Sequence, residues 1–447
     1  MNWTRRMTGF ALLAALGLVL GSTPAAKAQA AAQDTGKQAY TVPEYNAYQA
    51  AAAEKNPAQQ IKLLDDFVSK YPNSALLVYV YPLYYQAHGA LKNFPKVMEY
   101  ADKLLALGDK TDAPVRYQAY FARAFAYTNL PAAAQQDKDT ATKAREAAAS
   151  GLKTLGDVKK PDNITDADWT KQIQQPKILF NYASAIACAS LKDFACAVDS
   201  YKAVLALNPD DAVTSYRIGQ TYLAMTPPQS MDAFWFFGRA VTSKGATEAQ
   251  SKQVKGYLRK LVANYQGGAV CDSLTDAELN ELLQLATSAP ERPASYTISS
   301  SADLDAARKD MTIASVFTDL KAGGDKAKVT WLASCGLEFP DVPGKLLEIT
   351  PGTDAIVLKI AFVTSDAEFQ AATVANMDVK VIGQPEAARL EKDNPVRFTG
   401  TLSAYDPNPA FMLHWDKAKV NAEDIPKEKG APKKPAPRRP APKKPGT

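Results

Sequence analysis

Proton transfer near neutral pH leans on histidine, cysteine or paired carboxylates held in a pocket. This chain of 447 residues has only two histidines, His88 and His414. His88 lies on an apolar helical stretch with Tyr81 and Tyr85, where a packed or hydrogen-bonded ring is expected rather than a base. His414 stands in Phe411-Met412-Leu413-His414-Trp415, on the face opposite Leu413 and Trp415. If those two are core, it points to solvent. Acidic residues are numerous but sit singly on helix faces. There is no glycine loop to cradle phosphate, no nucleophile elbow and no His-x-x-x-His pair. The residues therefore predict a non-enzyme without catalytic, cofactor or metal site.

Cysteine is the other reactive type. Cys188, Cys196, Cys271 and Cys335 allow three pairings, and none of their spacings is that of a zinc site. Cys188 and Cys196 fall on two neighbouring helical stretches, and Cys271 and Cys335 flank the segment that follows. That placement favours Cys188 with Cys196 and Cys271 with Cys335 as disulfides. The alternative is that Cys188 and Cys196 pack as small, unbonded apolar residues.

The elements that position these residues are mostly helical. Over 43–265, Ala, Leu, Tyr and Lys recur at helical spacing between short breaks at Pro, Gly or Asn. Phe194, Ala197, Tyr201 and Val204 mark one helix face, ended by Asn208-Pro209. Gly219 and Tyr222 follow on the next helix, then Ala233, Phe237 and Ala240. Earlier, Gln60, Leu64 and Phe67 precede Pro72, and Phe94, Val97, Ala101 and Leu104 follow the helix bearing His88. A further pair spans 113–155, interrupted by the polar stretch 134–140.

This pattern resembles the tetratricopeptide repeat, a helix-turn-helix unit of roughly 34 residues with small residues where its helices cross. Ala185 with Ala197, and Gly219 with Ala233, occupy those crossings. Ser184 stands where the family prefers Leu, and two residues are inserted within 226–229. The resemblance covers about half of the chain and implies four to five repeats stacked as a solenoid with a concave groove. It places Tyr79, Gln86, Tyr182, Ile186, Tyr216 and Gln220 on the groove face. The Lys and Asn set with which some members clamp a C-terminal carboxylate is missing, although Arg217 lies near one such place. An apolar or extended peptide is the implied ligand.

After Gln266-Gly267-Gly268 the character changes. A helical connector over 266–341 is expected, with helices at 275–287 and 303–320, a Pro-bearing linker at 289–295 and a stop at Gly323-Gly324. A β-rich module at 342–421 follows. Its predicted strands are 346–350, 355–362, 379–383, 396–405 and 410–420, with Asp406-Pro407-Asn408-Pro409 turning between the last two. Five such strands look like a small Greek-key barrel, similar to the OB fold. OB-like sites need exposed aromatic and basic residues on one strand face. Trp415, Lys417 and Lys419 would supply them, unless Trp415 is core and the lysines an ordinary solvated face.

The ends of the chain differ from its body. Arg5 and Arg6 precede an apolar run over 10–21 and small residues ending Ala28-Gln29-Ala30, the layout of a cleaved signal peptide at 1–30, followed by a flexible stretch at 31–42. Beyond it no stretch is apolar enough to span a bilayer. Residues 422–447 alternate basic pairs with Ala-Pro and read as a disordered arm, whose Lys433, Lys434, Arg438, Arg439, Lys443 and Lys444 suit a polyanion. The formal charge of +5 sits at these ends: residues 31–425 carry a net −5, so no basic face for nucleic acid is expected.

The expected protein is multidomain and mainly α: a tetratricopeptide-like solenoid, a small OB-like barrel and a disordered tail, exported to the periplasm or beyond. The expected role is a protein-protein scaffold. The competing expectation is binding of an envelope polymer, peptidoglycan or acidic polysaccharide, by the barrel and basic tail.

Overall fold

A hydrogen-bonding side chain opens most of the long helices. Asn56, Asn93, Asp112, Asp137, Thr165, Asp193 and Asp211 each accept a backbone N–H of the first turn, satisfying donors that have no partner inside the helix. Proline stands in the first turn of four early helices, where its missing N–H costs nothing. The computed structural model describes residues 40–268 and 271–427. The expected signal peptide at 1–30, most of the 31–42 stretch and the tail residues from 428 onward, including the six basic positions above, lie outside the described residues.

The described chain runs through α1 (Val42–Ala53), α2 (Pro57–Lys70), α3 (Leu77–Ala90), α4 (Phe94–Leu105), α5 (Ala113–Thr128), α6 (Ala132–Gln135), α7 (Lys138–Asp157), α8 (Asp166–Ser190), α9 (Phe194–Leu207), α10 (Ala212–Ala224), α11 (Ser230–Thr242) and α12 (Glu248–Tyr265). It continues through α13 (Asp272–Ser288), α14 (Ser301–Lys309), α15 (Ile313–Ala322) and α16 (Gly324–Ser334). Then come β1 (Glu338–Pro351), β2 (Ile356–Phe362), α17 (Asp366–Ala371), β3 (Met377–Val381), β4 (Pro395–Asp406) and β5 (Met412–Val420). Two units divide it. The first extends to Arg259 and includes Asn280–Thr297; the second comprises Lys260–Leu279 and the chain from Ile298.

In the first unit, consecutive helices from α1 to α5 pack in chain order. α5 then packs on α7, and α7 to α11 continue in order. First helices of successive hairpins also meet, α3 with α5 and α5 with α8. That is a helical-repeat-like array. Small residues mark its crossings: Ala185, Ala197 and Ala233 are fully buried. A Cβ added at Gly219 would lie 2.9 Å from Phe237 ring carbons, and one at Gly151 would lie 2.3 Å from the Phe180 ring. Ordinary carbon contacts are about 3.5–4.0 Å, so these glycines let α10 approach α11 and α7 approach α8. The α8 helix begins twelve residues before Ile178 and carries Pro176 inside it.

In the second unit, the expected helix at 303–320 is two helices. Thr312 and Ser315 form a capping box that restarts the chain as α15, and Gly323, at φ +75, ends it. A further helix, α16, follows that stop within the helical connector, and β1 begins earlier than its predicted strand. The five strands close into a barrel in the order β1-β2-β3-β5-β4. Neighbours are antiparallel except β3 and β5, which are parallel. β1 pairs with β4 through its first half and with β2 through its second, and Gly344 takes part in both pairings. A Cβ there would sit 2.2 Å from Ile360 Cγ2 and 2.9 Å from the Ala361 carbonyl oxygen, so only glycine permits this bend. Inward residues including Val342, Leu358, Val379, Phe398 and Trp415 fill the barrel, and Val316, Leu320 and Ala327 of α15 and α16 join the same core.

Candidate functional site

Three places carry the residue types that bind or react: the first-helix face of the helical unit, the outer face of the barrel, and a groove beside α15.

On the helical unit, burial sorts the six groove positions. Gln86 and Gln220 are exposed, while Tyr79, Tyr182 and Ile186 are half-buried. The Tyr79 ring lies 6.2 Å from that of Tyr48, whose hydroxyl burial pushes up to about 12. Tyr182 packs edge-on against Tyr201 at 5.8 Å. Burial raises its hydroxyl above the usual tyrosine value, while the charge of Arg217, one hairpin further on, pulls the other way. These phenols stay protonated at neutral pH. Tyr216 corrects the groove expectation: only 6% exposed, it packs on Phe237 at 5.3 Å and Tyr257 at 6.5 Å. Its hydroxyl accepts a hydrogen bond from Gln220 Nε2 at 3.2 Å. The ring packs into the interior of the unit. His88 is 8% exposed and stacks on Tyr100 at 5.5 Å. Burial first, then the nearby Lys96 charge, hold its pKa below the usual imidazole value, so it is a neutral packed ring. Arg123 went unremarked at the sequence level: it is buried, pairs with Asp102, and burial lowers its pKa to about 10.

On the barrel, Trp415 is 1% exposed, with the edges of Phe339 at 5.8 Å and Phe398 at 5.3 Å against it. It belongs to the core, and Lys417 and Lys419 are exposed without it. The aromatic-basic platform needed for OB-type polymer binding is therefore absent at these three residues. His414 lies on the outer face, its Nε2 2.8 Å from Asp406 and its Nδ1 3.7 Å from Asp378, which holds Lys359 at 2.9 Å. This polar row crosses β2, β3, β5 and the end of β4.

The groove beside α15 has a volume of about 760 Å³. The Phe317 and Phe362 rings, 5.0 Å apart, stand in its wall, and Val374, 74% exposed, stands on its rim. Its walls come from α15, the end of β2, and the α17 region with the loop after it. Separated segments leave no local signal, so sequence patterning could not have found it.

Two disulfides link Cys188 to Cys196 and Cys271 to Cys335, with Cα separations of 5.8 and 6.0 Å. The first ties α8 to α9; the second ties the residue before α13 to the residue after α16. Among the described residues, Cys188, Asp193 and Cys196 form a group with metal-ligand spacing, but the two sulfurs are bonded to each other. Among the described residues no helix is long and apolar enough to cross a membrane. No family model matches the chain, and neither curated proteins nor solved structures match it.

Proposed function

We propose that this chain is an exported scaffold of the cell envelope, in which a tetratricopeptide-like array of helical hairpins presents its first-helix face to a peptide or helix of a partner protein. The observation that carries the reading is the packing order: each hairpin rests on its sequence neighbour, and the first helices α3, α5 and α8 meet in succession. Such stacking leaves one continuous face of first-helix side chains for a ligand. Exposed Gln86 and Gln220, with half-buried Tyr79, Tyr182 and Ile186, offer amide hydrogen bonding beside apolar surface. Two disulfides support an oxidising destination, as does the signal-like layout of residues 1–30. The OB-like barrel serves as an accessory module in this reading, its Trp415 filling the core.

The test is affinity capture by the mature protein from its native envelope, comparing wild type with a Gln86→Arg, Ile186→Asp, Gln220→Arg variant. Specific partners should fall at least about tenfold at unchanged melting temperature, the loss expected when charge enters an interface core. Equal recovery by the folded variant would refute the assignment of that face.

A further inference from the structure

We propose that the groove beside α15 binds a single-chain anionic amphiphile, an alkyl carboxylate, with the chain across Phe317, Phe362 and Val374 and the acid group at Lys321. The groove's volume of about 760 Å³ lies within the span of small-molecule sites, roughly 300–1,000 Å³. Its lining mixes Ala, Val and Phe side chains with Thr318, Lys321, Thr364, Glu368, Thr373 and Asn376, and Val374, 74% exposed, stands on the apolar part.

The polar inventory of the lining decides what else the ligand carries. Phe362 N donates to Asn376 Oδ1 at 2.7 Å. The Thr364 amide and hydroxyl both donate to Glu368 Oε2, at 2.6 and 2.8 Å. Thr318 Oγ1 donates to the Ala314 carbonyl at 2.9 Å. These donors are occupied internally and are not free for a ligand. Lys321 is different. Its ammonium lies 5.7 Å from the centre of the Phe317 ring, and among the described residues it has no ion pair. An ammonium over an aromatic face at the edge of an apolar trough recognises one negative charge at the end of a hydrocarbon. Glu368 fixes the direction: its two Thr364 hydrogen bonds hold its carboxyl below the usual range, so it stays ionised and repels an anion from its own end.

The experiment is calorimetric titration of the mature protein with dodecanoate below its micelle-forming concentration, alongside dodecanol, dodecyltrimethylammonium and anionic phospholipid vesicles. Saturable binding of one dodecanoate is expected, with the cationic analogue bound far more weakly. Lys321→Gln should weaken dodecanoate by about tenfold, the worth of one charge-assisted contact, and leave dodecanol unchanged. Val374→Asp, at an exposed position that does not threaten folding, should weaken both. Undiminished dodecanoate binding in both variants, as retention by the basic tail would give, overturns the proposal. So does binding to vesicles alone.

Discussion

Alanine at a helical glycine ordinarily stabilises a protein, and two glycines of the helical unit should reverse that sign. Replacing glycine by alanine inside a helix gains about 1 kcal/mol through propensity. Gly256, in the middle of α12, has open space where a Cβ would go, so Gly256→Ala should gain close to that amount. At Gly151 the new methyl would sit 2.3 Å from two carbons of Phe180. That ring cannot yield easily: Phe180 is fully buried, with Tyr117 at 5.8 Å and Phe121 at 6.0 Å edge-on around it. Overpacking of this kind costs about 1–3 kcal/mol, so Gly151→Ala should cancel the propensity gain and lose up to ~2 kcal/mol net. Gly219→Ala meets the Phe237 ring at 2.9 Å and should fall between the two. Urea unfolding followed by far-ultraviolet circular dichroism reads all three, since each residue lies in the first unit. If Gly151→Ala is stabilised as much as Gly256→Ala, the close helix crossing is wrong.

Removing the Cys271–Cys335 bond by double alanine substitution should lower the stability of the second unit by about 4 kcal/mol on the chain-entropy scale, because it closes a sequence separation of 64 residues; the Cys188–Cys196 bond, spanning 8, should be worth about 2–3 kcal/mol on the same scale. Both are read as shifts in urea midpoint. Stability should also fall on acidification below about pH 6.5. There the unfolded chain protonates His88 while the folded chain, with its pKa held lower, takes up that proton only at more acidic pH. A His88→Phe variant should flatten this slope in pH-dependent melting. Trp415→Ala should cost about 3–5 kcal/mol through a core cavity, seen in barrel unfolding, whereas a binding platform would have lost ligand affinity at constant stability.

Local patterning carried the reading furthest where one face of an element decides its burial. The alternation of Val396, Phe398 and Leu402 against Leu413 and Trp415 predicts a paired β4 and β5, and Leu402 does face Trp415 in register. The start of β1 was illegible because Pro340, Pro343 and Gly344 interrupt the alternation exactly where the strand bends between two partners. The break between α14 and α15 was missed because apolar spacing continues across it, and only the Thr312 capping box marks the restart. The groove face was half legible. Helical spacing puts Tyr182 and Tyr216 on equivalent faces, but it cannot say that Tyr257, from a helix forty residues on, closes over Tyr216. Gly151 lies at helical spacing with Ala144, Ala147, Ala148 and Leu155, but that spacing cannot name Phe180, on the next helix, as the ring it meets. The groove at Lys321 depends on three segments meeting and left none either.

The scaffold reading is tested most directly by hydrogen exchange of the mature protein, read by mass spectrometry with and without a partner recovered from its native envelope. Slowed exchange should concentrate on α3, α8 and α10, around Gln86, Ile186 and Gln220. Protection restricted to β1 through β5, with those three helices unchanged, would contradict it.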